Sequence, residues 1–310
     1  MIATETLYLT ETLLASSLSG ALRNAFAQKL RPERHKYDMG HLLLIAGSQG
    51  MTGAMVLAAK AAARSGCGLV TVAHPAGADV QLNIAVPSVM TRVMDWNAPL
   101  ESIGTPARYS AMAMGPGLGR EAATAEGVRE ILSQPALPPL ALDADALWAV
   151  SPEGNGGHPF DLCTISAPLI LTPHMGEFKR LFAEELSAGL SVDDAAARFA
   201  AAPERFLILK QEITRIYSQG QCVVSNRPNA GFASGGSGDV LLGLLGGLLA
   251  WMPSVEFACL AAVLVHSTAG ELARQALGEL AMNPNDVVEQ IGGSVRGLEG
   301  ILRKENAVGQ

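Results

Sequence analysis

"HLLLIAGSQGMTGAMVLAAKAAARSGCGLVTVAHP", His41 to Pro75, is the stretch on which the fold turns. His41 to Ser48 is a short, uniformly apolar run ending in a glycine turn, and it reads as a buried strand. Met51 to Gly66 is rich in alanine and stopped by a glycine, which predicts a helix. Gly68 to Pro75 is the next strand. Strands without polar alternation are covered on both faces, and such strands separated by helices imply a parallel sheet.

Outward from this unit the same signature recurs. Ala111 to Gly119 (AMAMGPGLG) is a strand running into a glycine loop. Pro139–Leu147 (PLALDADAL), Pro168–His174 (PLILTPH) and Arg205–Lys210 (RFLILK) are further strands, each ending beside a polar or charged residue. Thr214–Ser225 (TRIYSQGQCVVS) reads as a hairpin turning at Gln219-Gly220. The C-terminal third predicts helices over Asp239–Met252, Val255–Leu277 and Pro284–Leu302, and Ser151–Leu162 is a Pro/Gly loop. Residues 1–30 read as a helical preamble. Without a repeat or a long linker, residues 1–310 are expected to form a single α/β domain. Ligands of an open parallel sheet gather beyond the carboxyl ends of its strands. Gly47-Ser48, Gly115–Gly119, Asp143, Asp145, His174–Glu177, Lys210 and the late glycine loop are therefore expected along one edge.

The composition excludes several classes. Of 310 residues, 49% are hydrophobic and 16% charged, enough to bury a substantial core and too apolar for a disordered chain. The net charge of −7 lacks the basic excess of a nucleic-acid partner. Cys67, Cys163, Cys222 and Cys259 form no CxxC pair, so they are expected to be buried small hydrophobes in a reducing compartment. The first basic residue after Met1 is Arg23, which is not a secretory start. The longest uncharged apolar run, Val240 to Pro253, falls short of the about 20 residues that span a bilayer. A cytoplasmic protein without membrane or nucleic-acid partners is expected.

The stretch "NAGFASGGSGDVLLGLLGGLLAWM", Asn229 to Met252, carries the chemistry. Four glycines fall between Gly231 and Gly238, and they allow backbone to approach a ligand closely. The loop feeds a helix whose first N–H groups lack intrahelical partners, which makes an anion site. Ser237 is the expected cap and Asp239 falls in the first turn. Two readings of Asp239 stand. It complements the helix dipole, worth about 0.3–1 kcal/mol. Alternatively it takes a proton from a substrate hydroxyl while the N–H groups hold a transferring phosphoryl group.

"GSGDVLLG", the His35–Ala73 segment, "AMGPGLG", "LDADAL" and "LTPHMGEFKRL" occur in an order that resembles the ADP- or ATP-dependent NAD(P)H-hydrate dehydratases of the ribokinase-like superfamily, from about His35 to about Asp286. The resemblance implies a three-layer α/β/α sandwich around a central, mostly parallel sheet. It implies a repair reaction on the S-epimer of hydrated NADH or NADPH. The nucleotide, ADP or ATP, would phosphorylate the ring hydroxyl, and loss of phosphate would restore the dihydronicotinamide; with ADP, AMP and phosphate are the products. Asp239 would be the base. Ala54, Gly117, His174 and Asp239 would contact substrate, with helix packing the competing reading of Ala54. Lys210, Gln211, Glu212, Ile213, Thr214 and Gly238 would bind the nucleotide. Glu177 would organise Mg2+ and phosphate, the ion being held through the phosphates rather than by a protein-only cage. Homo-oligomerisation is implied, as is a separate epimerase, since a fused epimerase domain is missing. The sequence departs from the family at Tyr37 and Gln211, both usually Gly, and at Met175, usually Pro. If the backbone at Gln211 needs positive φ, strain of about 1–3 kcal/mol is expected there. Two rivals share the motifs: a small-alcohol kinase of the hydroxymethylpyrimidine or hydroxyethylthiazole type, and a non-catalytic nucleotide-binding relative.

Overall fold

The computed structural model describes residues 5–303, with the side chains of residues 5 and 6 left aside. Ten strands form one sheet: β1 Glu5–Tyr8, β2 His41–Ile45, β3 Leu69–His74, β4 Met90–Val93, β5 Ala111–Met114, β6 Leu140–Leu142, β7 Leu169–Leu171, β8 Arg205–Leu209, β9 Thr214–Ser218 and β10 Gln221–Ser225. Their order is β1-β10-β9-β8-β7-β6-β5-β2-β3-β4. Only β9 among them runs against the rest. The β9–β10 connection is the predicted two-residue turn, with φ of 44° at Gln219 and 81° at Gly220. Both central residues thus take the left-handed values of a type I′ hairpin, whose twist matches that of the strands.

The apolar strands are covered on both faces, as their lack of alternation requires. In β2, Leu42 and Leu44 join one core, while Leu43 and Ile45 join the other. Helices Thr52–Ala63, Ser237–Trp251, Val255–Leu277 and Pro284–Arg303 pack on the first side. Helices Ala122–Leu132, Ala144–Val150, Met175–Leu181 and Val192–Ala200 pack on the second. The result is a three-layer α/β/α sandwich.

Helix Ser237–Trp251 is buried along almost its whole length. Its glycines explain how it fits. A Cβ at Gly243 would lie 2.0 Å from the Ala58 carbonyl oxygen, and one at Gly246 would lie 2.7 Å from Ala113 Cβ on β5. Glycine in a helix costs about 0.5–1 kcal/mol relative to alanine. That cost is offset here by close contact with helix Thr52–Ala63 and with the sheet. The helix that carries the glycine loop is therefore fixed against both.

Two expectations need correction. The preamble is not wholly helical. Residues 1–4 lie outside the described residues, but Glu5–Tyr8 pairs in parallel with β10 before helices Glu11–Ser16 and Gly20–Lys29 begin. A sheet edge left by β10 offers unpaired backbone groups, and this segment satisfies them. Cys163 is exposed rather than buried, because it sits in a 3-10 turn outside both cores, whereas Cys222 and Cys259 are buried. All four cysteines are free. Helix Val255–Leu277 has the length and composition to cross a membrane, yet 72% of its apolar window is buried inside the protein. It is a core helix.

Candidate active site

The carboxyl ends of β5, β6, β7, β8 and β10 lie along one edge, as parallel pairing demands. There a cleft of about 850 Å³ opens between Asp143, Glu177 and Lys210 on one side and the loop 229–238 on the other.

Asp143 follows β6 directly and is 1% exposed. Its Oδ1 accepts from Lys210 Nζ at 2.5 Å and from the Ala144 N–H at 2.8 Å. It caps helix Ala144–Val150 and faces the cleft at once. Ala144 holds a left-handed φ of 48°, a conformation that costs a non-glycine residue about 1–3 kcal/mol. Burial pushes the Asp143 carboxyl above its ordinary range, against the pull of the Lys210 ammonium. Asp145 does different work: its carboxylate binds the Gly119 N–H and Arg120 Nε, each at 3.0 Å, tying the Gly115–Gly119 loop down.

The glycine loop delivers an uncapped helix. Gly236, at φ 107°, is the N-cap and makes no side-chain cap bond. Ser237, expected to cap, is instead the first helical residue, and its hydroxyl donates to the Ser234 carbonyl at 3.3 Å. The left-handed turn at Gly236 starts the helix one residue earlier than a serine cap would. Without a side-chain cap, the first-turn N–H groups are left for a ligand. A Cβ at Gly238 would stand 3.0 Å from Lys210 Nζ and 3.5 Å from Asp143 Oδ2, so the loop, the lysine and the aspartate converge.

Asp239 lies in that first turn and lines the cleft. Its pKa is raised to about 6, chiefly by burial, then by the Asp143 carboxylate, with Lys210 opposing and Asp145 and Glu177 adding. A carboxylate poised near neutral pH is suited to general-base work.

His174 and Glu177 form a capping box on helix Met175–Leu181. His174 Nδ1 accepts from the Gly176 N–H at 2.9 Å, and Glu177 Oε2 accepts from the His174 N–H at 2.8 Å. The imidazole Nε2 lies 3.3 Å from Glu177 Oε1. Nδ1 is thus engaged locally, while Nε2 makes only this ion-pair-distance contact and 58% of the His174 side chain stays exposed. The side chain lines the cleft.

The segment 210–214 is divided. Lys210, Gln211, Glu212 and Thr214 line the cleft, while Ile213 packs against the core beneath the second helical layer. The strain expected at Gln211 is absent, since positive φ at non-glycine residues is confined to Ala144, Glu204 and Gln219 among the described residues. Gln211 Oε1 instead accepts from Arg215 at 2.8 Å. Met175 occupies the first helical position, where Pro is also favoured, and packs on the core. Tyr37 is 73% exposed beneath the Lys36 ammonium. Ala54 and Gly117 meet each other, with a Gly117 Cβ placed 3.3 Å from that of Ala54, but neither lines the 850 Å³ cleft.

The sequence reading missed Asn229, Phe232 and His266, all on the cleft wall. A signal existed for the last two. His266 and Gly270 are four apart on one helix, so they share a face, and an aromatic residue interrupts the glycine loop.

The fold is ribokinase-like. A ribokinase-like superfamily protein of Enterococcus faecalis superposes with a TM-score of 0.77 at 23% identity, covering 94% of this chain and 96% of that one. The ADP/ATP-dependent NAD(P)H-hydrate dehydratase of Bacillus subtilis, co-crystallized with ATP/Mg2+, gives a TM-score of 0.74 at 26% identity, covering 94% and 98%. The family model for NAD(P)H-hydrate dehydratase matches residues 42–292. The ADP-dependent (S)-NAD(P)H-hydrate dehydratase of Listeria monocytogenes is 30% identical over 86% of this chain and 91% of its own length. The chain belongs to the NAD(P)H-hydrate dehydratase family. It spans about half the length of the bifunctional NAD(P)H-hydrate repair enzymes that it also matches.

Proposed function

We propose that this chain, as a single domain, dehydrates the S-epimer of hydrated NADH or NADPH at the expense of ADP or ATP. The observation that carries this reading is Asp239. A carboxylate held near pKa 6 stands in the first turn of an uncapped helix, beside Lys210 and a cleft of about 850 Å³.

Asp239 takes the proton of the substrate hydroxyl as its oxygen attacks the terminal phosphoryl group. The N–H groups of the first turn, Gly238 included, and the Lys210 ammonium hold the equatorial oxygens where charge develops. The nucleotide leaves one phosphate shorter: AMP from ADP, or ADP from ATP. The ring then expels the phosphate with its C–O bond and loses the adjacent proton, restoring the dihydronicotinamide. Ala54 and Gly117 border the substrate beyond the cleft, His174 stands beside it on the cleft wall, and Gln211, Glu212 and Thr214 follow the nucleotide.

Among the described residues no group of three or more His, Cys, Asp or Glu side chains is placed to hold an ion. The donor present for it is the hard, buried carboxylate of Glu177, which suits Mg2+ that keeps its waters and rides on phosphates. Bound there, Mg2+ would neutralise phosphate charge, with Glu177 orienting its water shell. Exposed Val80, Ile84, Met90 and Val93, on helix Asp79–Ala85 and edge strand β4, support homo-oligomerisation. The partners are hydrated NAD(P)H and nucleotide, with the cytoplasm as the compartment.

The test is incubation of the purified chain with the S-hydrate of NADH, ADP and Mg2+. Recovery of dihydronicotinamide absorbance with equimolar AMP and phosphate is expected. Accumulation of a stable phosphate ester would instead make it an alcohol kinase, and tight ADP binding without turnover would make it a non-catalytic relative.

A further inference from the structure

His266 takes no part in the reaction drawn above, yet it reaches the cleft from helix Val255–Leu277. Its Nε2 lies 3.1 Å from the Ser237 carbonyl oxygen. A carbonyl has no proton to give, so Nε2 carries the hydrogen and donates. The Ser237 carbonyl and the Gly238 N–H belong to one peptide, and in a trans peptide they point in opposite directions. A donor that pins the oxygen therefore aims the N–H.

The ring is itself held. It stacks on Phe232, with centroids 4.6 Å apart and planes at 17°. Phe232 has its place because residue 270 is glycine: a Cβ there would lie 2.0 Å from the Phe232 ring. One helix face thus clamps the aromatic of the glycine loop with Gly270 and His266, and His266 reaches on to the first turn of helix Ser237–Trp251. Burial lowers the His266 pKa to about 4, with the nearby Lys210 charge contributing. The imidazole is accordingly a neutral donor at neutral pH, and it brings no second cation to compete with Lys210.

We propose that His266 is a positioning residue that orients and polarises the Ser237–Gly238 peptide, making the Gly238 N–H a stronger donor to the nucleotide phosphate. The inference rests on the reading that the glycine loop holds that phosphate. It differs from plain packing in one respect: only the phosphate-dependent part of nucleotide affinity should depend on the imidazole N–H.

The experiment is calorimetric binding of ADP and of adenosine to wild type, His266→Phe and His266→Gln. Phenylalanine keeps the stacking and removes the donor; glutamine restores an N–H donor. His266→Phe is expected to weaken ADP about fivefold and to leave adenosine unchanged, and His266→Gln to recover most of the loss. Unchanged ADP affinity in His266→Phe, or equal loss for ADP and adenosine, overturns the proposal. A wild type that binds adenosine but gains nothing from the phosphates overturns the phosphate reading and this inference together. Independently of any variant, nitrogen-15 NMR of the wild-type imidazole should find the Nε2–H tautomer at neutral pH; an Nδ1–H tautomer overturns the proposal even if the variants do not fold.

Discussion

The Asp239 carboxylate is costly where it stands, and that cost makes it testable. Its folded pKa of about 6 lies above the ordinary 3.8, so the fold disfavours its ionised form. The penalty is absent below the unfolded value, grows as pH rises toward 6, and is complete above it. Asp239→Asn should therefore melt at a higher temperature than wild type at about pH 8, with the gain disappearing toward about pH 4. The same variant should lose about 10²–10⁴-fold in kcat while binding ADP nearly as well, because shape is kept and only the proton acceptor is lost. Lys210 behaves differently, since it is the partner of an almost wholly buried aspartate. Lys210→Ala should weaken ADP binding by at least about tenfold and cost about 3–5 kcal/mol in denaturant melts, because it strands the Asp143 charge. Asp143→Asn in the same chain should return much of that stability without returning the ADP affinity. Residues of this kind were legible in type but not in relation. The strand-end position of Asp143 is plain in the sequence, but its partner lies 67 residues away, and no local pattern links the two. The cap at Ser237 was misread because a left-handed Gly236 leaves no sequence mark distinct from its neighbouring glycines.

At the level of elements, the glycine loop works only if the helix behind it does not move. Helix Ser237–Trp251 approaches helix Thr52–Ala63 so closely that a methyl at residue 243 would meet the Ala58 carbonyl at 2.0 Å. Gly243→Ala should therefore destabilise by about 1–3 kcal/mol through overpacking, despite alanine's better helix propensity. It should also weaken ADP binding, since the displaced helix carries the first-turn N–H groups with it; urea melts and calorimetry read the two effects separately. The central strands and the three long C-terminal helices were readable because unbroken apolar runs and 3.6-residue patterns are strong signals. Strands β1 and β4 were not, being four-residue edge segments; Met90 and Val93 of β4 are exposed, so no buried pattern marks them. His266 escaped notice for the opposite reason: it is one polar residue in a helix that reads as core throughout.

Across the whole molecule, parallel pairing brings residues scattered from Gly115 to Asp239 to one sheet edge, and this was the most reliable inference from sequence. What it could not give was which of them share one cavity: Ala54 and Gly117 pair with each other, apart from the cleft that Lys210, Gly238 and Asp239 line. A nucleotide bound in that cleft as proposed should stabilise the folded chain, because it binds the native state alone. ADP at about a hundred times its Kd should add about 2.7 kcal/mol, read as an upward shift in melting temperature. The proposed chemistry converges on one proton, and the pH dependence of kcat/KM for hydrate dehydration tests it most directly. The ionised carboxylate is the active form, so the profile should rise tenfold per pH unit below about 6 and level off above it, tracking the Asp239 pKa. A rate flat through that region, or an Asp239→Asn enzyme with an unaltered profile, would contradict the assignment of Asp239 as the base.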